Sequence, residues 1–266
     1  MFQIRAKLLY NKQVADNYFH CAVSASKIAW QALPGQFVNI KVSDGIEPLL
    51  RRPFSVHRVN GSGVELLYEV VGQATEVLSQ KKAGGYLDII GPLGNGFSYE
   101  SQGHKATMSP ILVAGGMGVA PLIFLAEKLR EITNPKSQIP GTVLIGAKTK
   151  KHILCEKEFK KLGYEVRIAT DDGGRGFKGY VSQLLKNTLG AGSYELRAKI
   201  YACGPKPMLK EVAFISHQYS IPTQVSLEEH MACGIGACLG CVVNTKEGYK
   251  RVCKEGPVFN ADELVW

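Results

Sequence analysis

The chain has 266 residues, 45% of them hydrophobic, and a net charge of +9. That length suits two domains and an appendage, and the composition is that of an ordinary globular protein. The longest apolar runs, such as 111–118, are too short to cross a bilayer, and the lysines are too scattered for a nucleic-acid surface.

The opening stretch, Met1-Phe-Gln-Ile-Arg-Ala-Lys, reads as a first strand and not a signal peptide. Up to about residue 103 the pattern is period-2 alternation. Phe37, Asn39 and Lys41 alternate with Val38, Ile40 and Val42, and β-forming runs follow at 64–71 and 86–90. Pro34-Gly35, Gly61-Ser-Gly63 and Gly84-Gly85 separate them, as in a small antiparallel barrel. Trp30 and Trp266 are expected to pack.

Within this segment lies Arg51-Arg52-Pro53-Phe54-Ser55. Arginine offers a fork of donors suited to a pyrophosphate, proline keeps the backbone extended, and the serine hydroxyl could reach a flavin ring nitrogen. Taken alone, a plain strand edge explains the stretch as well. Gly72-Gln-Ala74-Thr75 reads as a strand end followed by a helix to about Lys82, with Thr75 as its cap. Free N–H groups at such a terminus suit an anion. Gly91-Pro-Leu-Gly-Asn-Gly-Phe97 reads as a domain margin that could shape a cofactor pocket.

From about 104 to 222, strands alternate with helices. Ile111–Ala114 is a continuous apolar run, as in a strand buried on both faces. Gly115-Gly116-Met-Gly118-Val-Ala-Pro121 follows, and then Leu122, Leu125, Ala126 and Leu129 fall at helical spacing. Strand, glycine turn and helix form the context of a dinucleotide site, though Pro121 replaces the usual third glycine. Further strands are expected at 142–146, 165–169 and 199–202. The loops Gly115–Gly118, Asp171–Gly174 and Cys203–Pro205 then share one carboxyl edge, where parallel sheets bind ligands. His57, His104, His152 and His217 show no partner at metal or triad spacing.

The tail carries Cys233, Cys238, Cys241 and Cys253, separated by four, two and eleven residues. This is the plant-type spacing for a [2Fe–2S] cluster, in which each iron takes two thiolates. Gly234, Gly236 and Gly240 permit the sharp turns and let N–H groups approach sulfur. A structural zinc site and unliganded thiols are the alternatives, although zinc ligands usually fall in two close couples. The remaining Cys21, Cys155 and Cys203 do not make a disulfide framework, so a reducing compartment, the cytoplasm, is expected.

In order, Arg52-Pro-Phe-Ser55, Gly72-Gln-Ala-Thr75, Gly116-Met-Gly-Val-Ala-Pro121, Cys203-Gly-Pro205 and the four-cysteine tail resemble the ferredoxin–NADP reductase superfamily. The stretches 48–55, 91–97 and 231–238 narrow the likeness to the electron-transfer subunits of two-component, NAD-linked dihydroorotate dehydrogenases. The resemblance covers nearly the whole chain. It implies an α+β multidomain fold: an antiparallel β-barrel FAD domain over 1–103, a parallel-sheet α/β NAD domain over 104–222, and a small [2Fe–2S] lobe over 223–266. It implies that Arg52, Pro53, Phe54 and Ser55 hold FAD, with Leu67, Tyr68, Glu69, Ala74 and Thr75 lining the rest. Ala74 stands where members tend to have glycine, and Glu69 where a basic residue is common. Gly115, Gly116, Gly118 and Gly204 would form the nicotinamide nucleotide site, with Cys203 catalytic, and the four tail cysteines would ligate the cluster.

The function so implied belongs to pyrimidine (UMP) biosynthesis. An FMN-containing catalytic partner, in a heterotetramer of two plus two, oxidises dihydroorotate; electrons pass through the cluster and FAD to NAD⁺. No orotate site is visible in this chain, which alone is not expected to oxidise dihydroorotate. Lys148, Lys150 and Lys151 could meet a 2′-phosphate, while the resemblance favours NAD over NADP. Two other readings stay open: a diaphorase subunit of a ferredoxin/NADP reductase or hydrogenase complex, and a cluster-bearing sensor module without flavin.

Overall fold

A computed structural model describes residues 1–99, 109–132, 141–190 and 198–266. The expected boundary at 103/104 and His104 lie outside them. Seven strands form the N-terminal sheet: β1 (Phe2–Ala15), β2 (Tyr18–Ser24), β3 (Phe37–Lys41), β4 (Arg52–Ser55), β5 (Arg58–Asn60), β6 (Gly63–Glu69) and β7 (Tyr86–Leu93). Their order is β4-β3-β7-β1-β2-β6-β5, with every pairing antiparallel. The sheet curls until Phe54 on β4 meets Tyr68 on β6, ring centroids 5.7 Å apart. Leu8, Ile40, Leu66, Leu87 and Ile89 are fully buried inside it, each stabilising the fold by about 2 kcal/mol.

Alternation on β3 predicts one wet face, but Phe37, Val38, Asn39 and Ile40 are all buried. The outer face lies under the C-terminal lobe, where the Asn39 amide donates to the Cys233 carbonyl at 3.2 Å. The short helices α1 (Ser26–Ala29) and α2 (Gln73–Ser79) pack on this sheet. Thr75 does not cap α2 from the front. It lies one turn inside, and its Oγ1 accepts from the N–H groups of Val71 (2.9 Å) and Gly72 (3.2 Å), the rear half of a capping arrangement.

The second sheet contains β8 (Ser109–Gly115), β9 (Thr142–Ala147), β10 (Glu165–Thr170), β11 (Phe177–Lys178), β12 (Ala198–Cys203) and β13 (Thr223–Ser226). β14 (Val242–Thr245) and β15 (Gly248–Arg251) form a separate hairpin, and β16 (Val258–Asn260) returns antiparallel to the edge of the second sheet. The order is β11-β10-β9-β8-β12-β13-β16, so β8 runs through the middle, and Pro110 to Gly115 are buried as a central parallel strand requires. Helices α3 (Val119–Ile132), α4 (Glu156–Lys161), α5 (Val181–Gly190) and α6 (Lys206–Gln218) accompany it. Two strands of the 223–266 segment, β13 and β16, thus belong to the α/β sheet, and the hairpin and cysteine loop hang from them.

Polar contacts bind the barrel to α3. Arg58 Nε donates to Glu127 Oε1 at 2.5 Å, and His57 Nδ1 donates to the Ala120 carbonyl at 2.8 Å. His57 is 2% exposed. Burial brings its imidazole down to about 4, against the Ala120 carbonyl and with His20 and Arg58 also lowering it. The unfolded chain therefore binds the extra proton first, near an ordinary pKa of about 6.5. Stability from the neutral imidazole is complete above that pH and is lost as pH falls from about 6.5 toward 4, by about 3 kcal/mol in all. Urea unfolding at pH 7 and pH 5 should show this loss, and His57→Gln should flatten it.

Trp30 departs from expectation: at the end of α1 it is 77% exposed. A four-residue helix has no second face to shelter it. Trp266 does pack, its indole N–H donating to the Ala261 carbonyl at 3.3 Å. Among the described residues, no helix is long and apolar enough to cross a membrane.

Candidate functional site

A cavity of about 940 Å³ opens between the two sheets. Its barrel wall is β4 from Arg52 to Ser55, the end of β6 from Leu67 to Glu69, and Thr75. The opposite wall is the carboxyl edge of the parallel sheet: Gly115 and Gly116 after β8, Gly146 to Lys148 after β9, Asp171 after β10 and Pro205 after β12. The loops placed on one edge by sequence pattern therefore do meet there, facing the barrel motif.

The two arginines divide their tasks. Arg51 is engaged with Asp88, donating to its carboxylate at 2.7 Å and its carbonyl at 2.8 Å. Arg52 lines the cavity and spends one amino group on the Leu50 carbonyl at 2.6 Å. Tyr68 donates to Asn11 at 3.0 Å and stacks on Phe19, which fixes the cavity's aromatic side. Ala74 is buried within α2 and does not reach the cavity.

The glycine loop after β8 is tight for a definite reason. A Cβ on Gly118 would collide with the Cys203 carbonyl and come within 2.9 Å of the Gly204 nitrogen, and one on Gly115 would meet Met208 Sδ at 2.5 Å. Backbone thus packs on backbone where β8 and β12 end side by side. Gly118→Ala is expected to cost about 1–3 kcal/mol, because its obstacle is main chain and cannot turn aside. Thermal unfolding would read that loss.

Cys203 is not on the cavity wall. It is 2% exposed, behind Gly204, with its thiol bonded to Ser226. Burial, aided by the nearby Glu228 carboxylate, pushes that thiol above its ordinary value, so it stays protonated. Gly118 and Gly204 likewise lie beneath the surface that Gly115 and Gly116 present. Sequence reasoning missed Glu228, which lines the cavity and whose carboxyl is held above the usual range by burial. It also left His152 without a partner; its ring lies 3.0 Å from Thr149 Oγ1, at the cavity.

The Gly91–Phe97 stretch serves the lobe and not the cavity. The Asn95 N–H donates to the Gly256 carbonyl at 2.5 Å and its side chain to the Glu255 carbonyl at 3.0 Å.

In the cysteine loop, Cys233 Sγ accepts from the N–H groups of Ile235 (3.5 Å), Ala237 (3.3 Å) and Cys238 (3.4 Å). Burial pushes this thiol up, but those donors and the Cys238 thiol outweigh it and bring it down to about 6. Cys238 accepts from Gly240 at 3.5 Å, and Cys241 from Cys253 at 3.4 Å. The thiols pair as Cys233 with Cys238 and Cys241 with Cys253. No group of three or more donors among the described residues converges on one point. Two couples with N–H groups aimed at sulfur fit a two-iron cluster, which needs two thiolates per iron.

Comparison with known proteins bears on both halves. The family model for the iron–sulfur cluster binding domain of dihydroorotate dehydrogenase B matches residues 228–265, and that for the oxidoreductase NAD-binding domain matches residues 112–213. The dihydroorotate dehydrogenase B (NAD(+)) electron transfer subunit of Desulforamulus reducens is 43% identical over 98% of this chain and 97% of its own. The chain belongs to the dihydroorotate dehydrogenase B electron transfer subunit family. The Geobacillus sp. (strain WCH70) member is 39% identical over 100% of this chain and 99% of its own. A solved NADH-dependent reduced ferredoxin-NADP oxidoreductase superposes with a TM-score of 0.84 at 29% identity, over 99% of this chain and 90% of that one. A Neisseria gonorrhoeae ferredoxin NADP⁺ reductase with bound FAD and NADP shares the fold, with a TM-score of 0.64 at 15% identity, over 81% and 91%. As a family member the chain is an electron-transfer subunit of an oxidoreductase, with an iron–sulfur cluster binding domain and an NAD-binding domain.

Proposed function

We propose that this chain relays electrons from an FMN-containing, dihydroorotate-oxidising partner to NAD⁺, in a cytoplasmic heterotetramer of two plus two. The observation that carries the reading is one cavity walled by Arg52–Ser55 on one side and Gly115–Gly116 on the other, with Asn39 tying the cysteine loop to the same barrel. FAD, when bound, exchanges single electrons with an iron–sulfur cluster and a hydride with nicotinamide, the conversion such a relay requires.

The chain's own residues bind and orient. Arg52 would meet the pyrophosphate of FAD, Pro53 and Phe54 keep the strand extended along the cavity, and Ser55 would offer the flavin a hydroxyl. Leu67, Tyr68 and Glu69 would line the rest of the FAD site, and Thr75, with Ala74 behind it, steadies the turn into α2. Gly115 and Gly116 admit the nicotinamide nucleotide, while Gly118, Cys203 and Gly204 form the packed floor under it. Cys233, Cys238, Cys241 and Cys253 ligate the cluster. The segments 1–103 and 104–222 are the corresponding flavin and nucleotide units; within 223–266 the cysteine loop and the β14–β15 hairpin are the cluster unit, while β13 and β16 complete the nucleotide sheet. Cys238 is exposed, and Ile235 and Leu239 beside it are 45% and 60% exposed. Apolar side chains presented to solvent around a ligand cysteine suit a docking partner.

Co-expression with a dihydroorotate dehydrogenase B catalytic subunit tests this. Dihydroorotate-dependent NAD⁺ reduction should require both chains and co-purify with them. A complex that reduces NADP⁺ from ferredoxin and ignores dihydroorotate would favour the second reading, which the reduced ferredoxin-NADP oxidoreductase likeness supports.

A further inference from the structure

One side chain reaches the cysteine loop from outside the ligand set. Arg251 ends β15 and faces Glu255 four residues on. Its Nε donates to Glu255 Oε2 at 3.0 Å, its second terminal nitrogen pairs with Oε1, and its own backbone N–H donates to Oε2 at 2.7 Å. One edge of the guanidinium is thereby fixed. The remaining nitrogen, Nη1, donates to the Gly236 carbonyl at 2.8 Å.

That carbonyl belongs to the Gly236–Ala237 peptide, whose other end is the Ala237 N–H. This N–H donates to Cys233 Sγ at 3.3 Å. A single peptide unit therefore connects a fixed cation to a ligand sulfur, and hydrogen bonds in such a chain polarise one another. The clamp has a physical reason. Gly236 has φ +85 and no side chain to hold its peptide plane, so an unclamped peptide turns over easily. Turning it over would take the Ala237 N–H off the sulfur.

We propose that Arg251 is a positioning residue of the iron–sulfur site, holding the Gly236–Ala237 peptide with its N–H on the Cys233 sulfur and so raising the reduction potential of the cluster. N–H donation to ligand sulfur favours the more negative, reduced state. The inference rests on the cluster-bearing reading above. That reading fails separately, and first, if the unaltered chain binds neither iron nor sulfide.

The test is an EPR-monitored redox titration of the full chain with its cluster, comparing wild type with Arg251→Gln, Arg251→Lys and Glu255→Gln. Arg251→Gln is expected to shift the midpoint downward. Arg251→Lys keeps the charge but lacks the fork, and should shift in the same direction. Glu255→Gln releases the fork while leaving the guanidinium, and should also shift downward. A lysine variant with the wild-type potential, or an upward shift in Glu255→Gln, would mean that bare charge governs the site, and would overturn the proposal. If Arg251→Gln is isolated without a cluster, Arg251→Lys and Glu255→Gln decide between the same outcomes.

Discussion

Arg52→Ala is expected to leave a folded chain that no longer retains FAD through purification. Arg52 is the barrel arginine on the cavity wall, and β4 is held by backbone pairing to β3 that the substitution does not touch. A charge-assisted contact from guanidinium to pyrophosphate contributes about 2–3 kcal/mol, so FAD affinity should fall roughly 30- to 150-fold. Flavin absorbance per chain, and titration of the apoprotein with FAD, measure it. Arg51→Ala is the control. Its partner is Asp88, away from the cavity, so it should lower thermal stability and leave FAD content intact. Equal flavin loss in both variants would contradict the division of labour between neighbouring arginines.

Cys238→Ala is expected to abolish electron transfer to and from the partner while the chain still oxidises NADH with a dye. Cys238 is exposed and bonded only within its loop, so its removal disturbs little packing. Cys253 is a poorer choice, because it is buried in the core shared with the α/β sheet and its loss would also cost stability. Outer-shell changes around metal sites cost about 10–100-fold, and losing a ligand should cost more than that. Iron and sulfide content, dye reduction and coupled dihydroorotate oxidation, measured together, separate a broken relay from a broken protein. Undiminished coupling in a cluster-free variant would remove the cluster from the path.

What was legible in the chain was local. The cysteine spacing, the Arg-Pro-x-Ser stretch and the strand–glycine–helix turn each lie within one short stretch of chain, the longest from Cys233 to Cys253, and their chemistry follows from residue type and spacing. The common edge of the parallel loops was legible because topology obliges it. Contacts across long stretches left no trace. His57 meets Ala120, Asn39 meets Cys233 and Arg251 meets Gly236 through folding alone. Glu228, two residues past the end of β13, reads as an ordinary boundary charge until the cavity closes over it. Thr75 shows the limit of capping signals: the right residue is there, but at the third helical position and not ahead of the first. Cys203 shows the limit of motif order, since being at the proper strand end did not bring its thiol to the surface.

The central claim is that one polypeptide carries both a two-electron and a one-electron site in communication. An anaerobic titration of the isolated, cofactor-loaded chain with NADH, followed by visible absorbance and EPR, tests it most directly. Bleaching of the flavin should be accompanied by the EPR signal of a reduced [2Fe–2S] cluster, with dihydroorotate alone producing neither. Full flavin reduction with a cluster that stays oxidised and EPR-silent, although a strong chemical reductant can reduce it, would contradict the account.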